Sequence, residues 1–331
     1  MRNKTIRNTV FFGVFLVALF ALFFVSIQIG TLKVTLPQLF RGLFVEYDKT
    51  VNSIVNPRFP RIMISMLAGA SLAVSGVLLQ AALKNPLADP GIIGVSSGAA
   101  FFSTIMTAFF PTLYFFGPMF AFLGGMISFF IIYVVTGRKS MSPVHLILTG
   151  VAMNALWEGF STVFGTMQNG SLSGSAAAVQ SNITMKTWSD VKFLAAYVFV
   201  GLVMSLCLAS KCNLLLLEDK TARSIGVDIH RLRFVVSVTA VLLASISTAV
   251  VGTVSFLALI VPHIAKILVG SDNRRLVPFS IILGAFLFLL ADTIGRTIAY
   301  PYEVAASVIL AIIGGPLLIV LLKRSRNRYE S

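Results

Sequence analysis

Ten apolar runs divide this chain, and little else interrupts them. They cover roughly Val10–Ile29, Arg61–Leu83, Ile92–Phe110, Tyr114–Thr136, Val144–Phe164, Val191–Ala209, Arg233–Val251, Phe256–Leu268, Leu276–Ile294 and Val304–Leu322. A helix needs about 20 residues to cross a hydrocarbon core about 30 Å thick. Nine of the runs approach that length. The eighth has only about 13 residues and reads as a tilted or half-buried helix with its ends covered by neighbours. Hydrocarbon offers the backbone no hydrogen-bond partners, so each run must be helical. The fold class expected is all-α: a polytopic membrane bundle of about ten transmembrane helices, one of them short, forming a single domain over residues 1–331.

Composition agrees. Charged residues make up 11% of the chain and mean hydropathy is +0.92, whereas a soluble protein carries about 25% charged residues. The net charge of +14 invites a nucleic-acid reading, but the basic residues sit between apolar runs and form no polar domain, which excludes it. They report topology instead. With the N-terminus inside, 18 of the 26 lysines and arginines fall in inside segments and 8 outside, as the positive-inside rule requires. The basic start, MRNKTIRNT, precedes a run too long for a typical signal core and without a clear cleavage site, so it reads as an uncleaved first helix. Ten spans return the C-terminus to the cytoplasmic side. Cys207 and Cys212 lie at the end of one run beside Lys211 and read as free thiols near the reducing cytosol.

Local patterns then mark where helices pack and turn. The second run holds two small-xxx-small pairs, Gly69/Ala73 and Ser71/Ser75, which allow close helix approach and serve either simple packing or a pathway wall. In LKNPLADPGIIGVSSG, residues 83–98, Pro86, Pro90 and Gly91 force a tight turn, and Asp89 with Ser96 and Ser97 offers caps to the next helix. Residues 166–190 form a loop-like stretch rich in Gly, Ser and Ala, with Trp188 at an interface position. The polar stretch 217–233 suits two short helices outside the bilayer, with Gly226 ending the first and Asp228 starting the second; an ordinary solvated loop is the alternative. Few polar groups lie inside the runs: Gln80, His145, Asn154, Glu158 and Asp292. Ionisable groups there face the bundle interior or a water path. Asp292 and Arg296, four apart, pair across one helix end. Gly314-Gly-Pro316 marks a kink or close-packing point in the last run.

Chemistry on the chain itself is sparse. His145, His230 and His263 fall on different segments. No catalytic constellation, cofactor motif or convergent metal ligands are suggested, and no nucleotide motif is present, so any ATP is handled by another chain.

Three motifs together carry a resemblance. These are the Asn85-Pro-Leu-Ala-Asp-Pro-Gly91 turn, the Thr221-Ala-Arg-Ser-Ile-Gly226 loop, and the block from Ile260-Val-Pro-His263 through Gly270-Ser-Asp-Asn-Arg-Arg275 to Leu290-Ala-Asp-Thr-Ile-Gly-Arg296. They resemble the FecCD-type permeases of type II ABC importers for iron-siderophore complexes, haem and cobalamin, and the resemblance covers nearly the whole chain. It implies a translocation subunit in a bacterial cell membrane that performs no covalent chemistry and works with a separate ATPase subunit. It further implies a substrate-binding protein or lipoprotein on the outside and a second permease, either another copy or a sibling.

Residue by residue, the resemblance assigns ATPase coupling to Thr221, Ala222, Arg223 and Gly226 within a cytoplasmic loop at 211–233. It assigns binding-protein docking to Arg58 and Arg61, in Asn56-Pro-Arg-Phe-Pro-Arg61, and to Arg296; membrane-edge snorkelling is the alternative for the first two, and Asp292 competes for the third. It assigns pathway lining to Asn154 and Glu158. Where similar permeases show Trp-x-x-Gly-Ser-Leu, this chain has Gln180-Ser-Asn-Ile183, so the outer gate departs from the pattern. Iron-siderophore complexes are the expected cargo, with haem and then cobalamin as alternatives. An ATP-independent secondary transporter or channel is the competing class; it would call for more mid-membrane polar residues near broken helices than the sequence supplies.

Overall fold

A computed structural model describes residues 2–29, 49–136, 143–167, 183–184, 186–224, 226–299 and 302–327. The described residues are helical throughout their regular structure. In chain order they form α1 (Arg2–Gln28), α2 (Lys49–Ala82), α3 (Val95–Phe109), a short 3-10 segment (Pro111–Phe116), α4 (Gly117–Thr136), α5 (Pro143–Met167) and α6 (Trp188–Leu215). Then follow α7 (Asp219–Ser224), α8 (Ile229–Val251), α9 (Leu257–Val269), α10 (Asn273–Thr297) and α11 (Ala306–Asn327). By length and composition seven of these helices can cross a membrane, and three shorter apolar helices, Val95–Phe109, Leu257–Val269 and Ala306–Val320, complete the ten expected.

The bundle is built around α2, which packs on α1, α6, α8, α9 and α10. Its small residues explain how one helix meets so many. Gly69 faces Gly284 of α10 so closely that a methyl group at either would fall on the other's backbone. Two turns on, Gly76 lies against the carbonyl of Ala258 in α9. The two serines of the second small pair face α8 and donate to main-chain carbonyls there: Ser71 Oγ to Leu243 O at 2.8 Å and Ser75 Oγ to Ala240 O at 2.7 Å. A hydroxyl in hydrocarbon must find such an acceptor. The two pairs thus serve different neighbours. α2 also begins earlier than the apolar pattern indicates, running through Pro57 and Pro60.

Turns and caps set the remaining boundaries. Asp89 does not cap α3: its Oδ1 accepts Gly91 N–H at 2.8 Å and Ile92 N–H at 3.0 Å, which pins the turn before the helix. α3 itself starts after Gly94, at φ +84, without a side-chain cap, and Ser97 Oγ donates back to Gly94 O at 3.0 Å. α6 opens on a capping box in which the Asp190 carboxylate accepts from the Thr187 amide and hydroxyl, each at 2.8 Å. α9 has 13 residues, which gives it a length of about 20 Å, too short for a full span. Gly252, at φ +78, ends α8 before it, and Gly270, at φ +88, ends α9 itself.

The stretch 217–233 differs from the expected pair of short helices. One short helix, α7, is followed by Gly226 at φ +80. Asp228 then caps α8 directly, accepting His230 N–H and Arg231 N–H at 3.1 Å each. Likewise, residues 211–215 belong to the end of α6. The outer element Gln180-Ser-Asn182 lies outside the described residues, as does Pro301.

Candidate functional site

Three places in the bundle hold the residues singled out by sequence. Asn154 and Glu158, one turn apart on α5, both border a cavity of about 340 Å³, within the usual range for a ligand pocket. Its other walls are Ser96, Ser97 and Thr104 on α3, and Thr253 and Ser255 in the break between α8 and α9. Asn154 does two things there. Its Nδ2 donates to Gly91 O at 3.0 Å and Ile92 O at 3.1 Å, and its Oδ1 accepts Ser97 Oγ at 2.6 Å. It therefore holds the 91–94 turn against α5 while facing the cavity. Trp157 supports the same turn through Ser128: the indole donates to Ser128 Oγ at 3.1 Å, and that hydroxyl donates to Gly94 O at 2.6 Å. Glu158 is exposed, and among the described residues its carboxylate has no partner. The cavity thus offers hydroxyls, an amide and one carboxylate. Among the described residues no group of three or more His, Cys, Asp or Glu could hold a metal ion.

The second place is the end of the bundle where α2 begins and α10 ends. Arg58, Arg61 and Arg296 all gather there, around Asp292. The Asp292 carboxylate, 1% exposed, accepts Arg61 Nε at 3.1 Å on both oxygens and Arg61 Nη2 at 2.9 Å. The same carboxylate lies 3.5 Å from Arg296 Nε, which is the i,i+4 pair expected from sequence. Arg61 Nη1 donates to Glu303 Oε2 at 2.8 Å, and Thr184 Oγ1 donates to the same oxygen at 3.0 Å. Arg296 Nη2 donates to Ser26 Oγ. Arg58 Nη1 donates to Ile27 O at 2.8 Å. Arg61 and Arg296 are therefore committed inside the protein, and Arg58 is half-buried.

Glu303 is the cluster member that sequence reasoning missed as a site residue. Partial burial disfavours its charge. The Arg61 hydrogen bond and charge outweigh that, with Thr184 and Arg296 helping, and they hold the Glu303 carboxyl below its ordinary range. An acid in the turn after a basic helix end was the available signal. No local pattern announces that Arg61, 231 positions earlier, takes Asp292.

The third place is the opposite end. Thr221, Ala222 and Arg223 lie on α7, which packs on α6 and α8. Ala222 is fully buried and its carbonyl accepts Val227 N–H at 3.2 Å, which closes the turn through Gly226. Beside it, the end of α6 grips the start of α10. Asn213 Nδ2 donates to Asp272 Oδ1 at 2.7 Å, while Asn213 Oδ1 accepts Asn273 N–H at 2.9 Å. The Asn213 bond holds the Asp272 carboxyl below its ordinary range. Lys84 Nζ donates to Leu217 O at 2.5 Å, tying the end of α2 to the same corner.

A polar cavity in an all-helical bundle of membrane-length helices, a charged end and a short helix at the opposite end suit a translocation subunit, and the comparisons agree. Residues 18–324 match the FecCD transport family, and the chain belongs to it. It is a multi-pass membrane permease of the ABC importer class. It is 44% identical over 323 residues to a Staphylococcus aureus (strain Newman) protein named as a heme-iron transport system permease protein, IsdF, covering 97% of this chain and 98% of that one. Among solved structures it resembles one described as an inward-facing metal-chelate type ABC transporter, with a TM-score of 0.79 and 27% identity over 96% of this chain and 99% of that one. The fold also matches PsaBC from Streptococcus pneumoniae, at a TM-score of 0.57 and 16% identity over 86% of this chain and 95% of that one.

Proposed function

We propose that this chain is the translocation subunit of an ATP-driven importer whose cargo is haem. The observation that carries the cargo is the 44% identity, over 97% of the chain, to a permease named for heme-iron transport. That favours haem over the iron-siderophore complexes expected from sequence alone. The cavity chemistry is compatible, since hydroxyls and an amide contact a chelate without competing for its metal.

In this reading ATP is hydrolysed by a separate subunit that docks at α7, with Thr221, Ala222, Arg223 and Gly226 forming the contact. The basic inside segments support putting that end, and both termini, on the cytoplasmic side. A binding protein delivers cargo to the opposite end. Arg58, half-buried, is the most accessible of its three candidate contacts there, while Arg61 and Arg296 would have to share or exchange their carboxylate partners. Asn154 and Glu158 line the path. A charge near the middle of a span is costly against lipid, by about 3 kcal/mol on insertion scales. The exposed Glu158 face of α5 therefore meets water or a second permease, either a copy of this chain or a sibling.

The test is uptake in a deletion strain supplied with haem, ferric siderophores of each chemical class, or cobalamin. Loss of haem uptake alone, restored by the wild-type chain and not by an Arg223→Ala, Gly226→Val double variant, is the expected result. Loss of a siderophore instead would replace the cargo and leave the importer class intact.

A further inference from the structure

α7 has only six residues, and a helix shorter than about 12 residues is marginal on its own. Its position is therefore set by what it hangs from. Ala222 is fully buried, and residues 216–218 alone separate α7 from the end of α6.

That connection is held from two other helices. Lys84, at φ +50 just past the end of α2, donates from Nζ to Leu217 O at 2.5 Å. Asn213, in the last turn of α6, uses both ends of its amide on α10. Its Nδ2 donates to Asp272 Oδ1 at 2.7 Å, and its Oδ1 accepts the main-chain N–H and the Nδ2 of Asn273, each at 2.9 Å. Asn273 is buried. Asp272 Oδ1 also accepts Arg274 N–H at 3.0 Å, so the carboxylate that caps α10 is the one that Asn213 grips. The base of α7 and the first turn of α10 share one side chain.

α10 carries that attachment across the bundle. Its 25 residues span about 37 Å, and near the far end Asp292 holds Arg61 and Arg296. α10 packs on both α6 and α2 along the way.

We propose that Asn213 is a positioning residue for coupling: it locks the end of α6 to the start of α10, so that a displacement of α7 reaches the charged end of the bundle through α10. The inference rests on reading α7 as the ATPase dock.

The test uses the full complex, with its ATPase and binding protein, in proteoliposomes. It reads haem moved per ATP, or whichever cargo the deletion-strain test returns. Asn213→Asp keeps an acceptor for Asn273 and sets a second carboxylate against Asp272. We expect the ratio to fall about fivefold or more, with assembled complex, and ATP hydrolysis without binding protein, staying within about twofold. Adding Asp272→Asn restores an opposed donor and acceptor with the roles exchanged, and the ratio should return to within about twofold of wild type. A contact that serves stability alone would change assembly and leave the ratio. An unchanged ratio in Asn213→Asp, or no rescue by the second substitution, overturns the proposal. The Arg223→Ala, Gly226→Val double variant separates this inference from the reading beneath it. If that variant keeps its ratio, the dock reading falls and the inference with it. If it uncouples while Asn213→Asp does not, the dock stands and the clasp alone falls. Should Asn213→Asp fail to assemble, Asn213→Cys with Asp272→Cys in a Cys207→Ser, Cys212→Ser background decides. Transport by the oxidised pair that is lost on reduction supports the clasp, and equal transport in both states overturns it.

Discussion

α2 and α5 are both long enough to cross a membrane, yet 83% of the apolar window of α2 is buried inside the protein and only 22% of that of α5. The difference follows from side-chain size and from where polar groups point. α2 puts glycine, alanine and serine toward its neighbours, so backbones touch and its hydroxyls end on carbonyls of α8. α5 turns large apolar residues such as Leu148, Val151 and Phe160 outward and keeps Asn154 and Glu158 at a cavity. One helix is specified by this chain alone, and the other is completed by lipid, cargo or a partner. Damage to α2 and its contacts should therefore reduce folded protein, whereas damage to the α5 cavity face should reduce transport and spare folding.

The largest effect is expected at the ion cluster that anchors α2. Asp292→Ala leaves Arg61 and Arg296 buried without their shared carboxylate, a loss of about 3–5 kcal/mol. The yield of monodisperse protein in detergent should collapse; a normal yield would break the contrast. Next comes Gly76→Val, which drives a side chain into the Ala258 backbone and should cost about 1–3 kcal/mol, read as a lower thermal midpoint. Asn154→Ala tests the boundary between the two kinds of site. It frees the carbonyls of Gly91 and Ile92, a loss of about 1–2 kcal/mol, and should also slow transport. Glu158→Gln should shift stability by less than about 0.5 kcal/mol while changing the rate of transport. A stability loss as large as that of Gly76→Val would place Glu158 with the core.

The smallest effect is a pH response at Glu303. Its carboxyl is held below the ordinary value by Arg61 against partial burial, so its contribution is present at neutral pH and fades as pH falls through the folded value, below the usual 4.5. Solvent screening keeps it modest, since the side chain is 39% exposed. The acid limb of a thermal-midpoint profile should shift in Glu303→Gln and stay in place in a surface control such as Glu218→Gln.

Much of this was legible in the chain because membrane packing obeys local rules. Apolar run length gave the ten apolar helices and the short eighth run, which is α9, and small-residue spacing gave the faces of α2. The one-turn spacing of Asp292 and Arg296 gave their pairing. Contacts that close across long separations were not legible: Arg61 with Asp292 and Glu303, and Asn213 with Asp272. Each partner has a sufficient local reading, whether helix-end cation, turn acid or cap, and nothing in the spacing selects the distant one. The early start of α2 was hidden for a related reason. Proline usually marks a boundary, yet here two lie within the helix.

The central place of α2 also has a consequence in time. α2 leaves the ribosome by residue 82, whereas the helices that cover its small-residue face, α8 to α10, are complete only at residue 297. At about 5–20 residues per second the wait is about 10–40 s. Ser71 and Ser75 wait for the α8 carbonyls they end on until that helix is made by residue 251, and Gly76 and Gly69 wait longer still, for Ala258 and Gly284. The most deeply packed helix of the finished permease is therefore among the first made and the last to be satisfied.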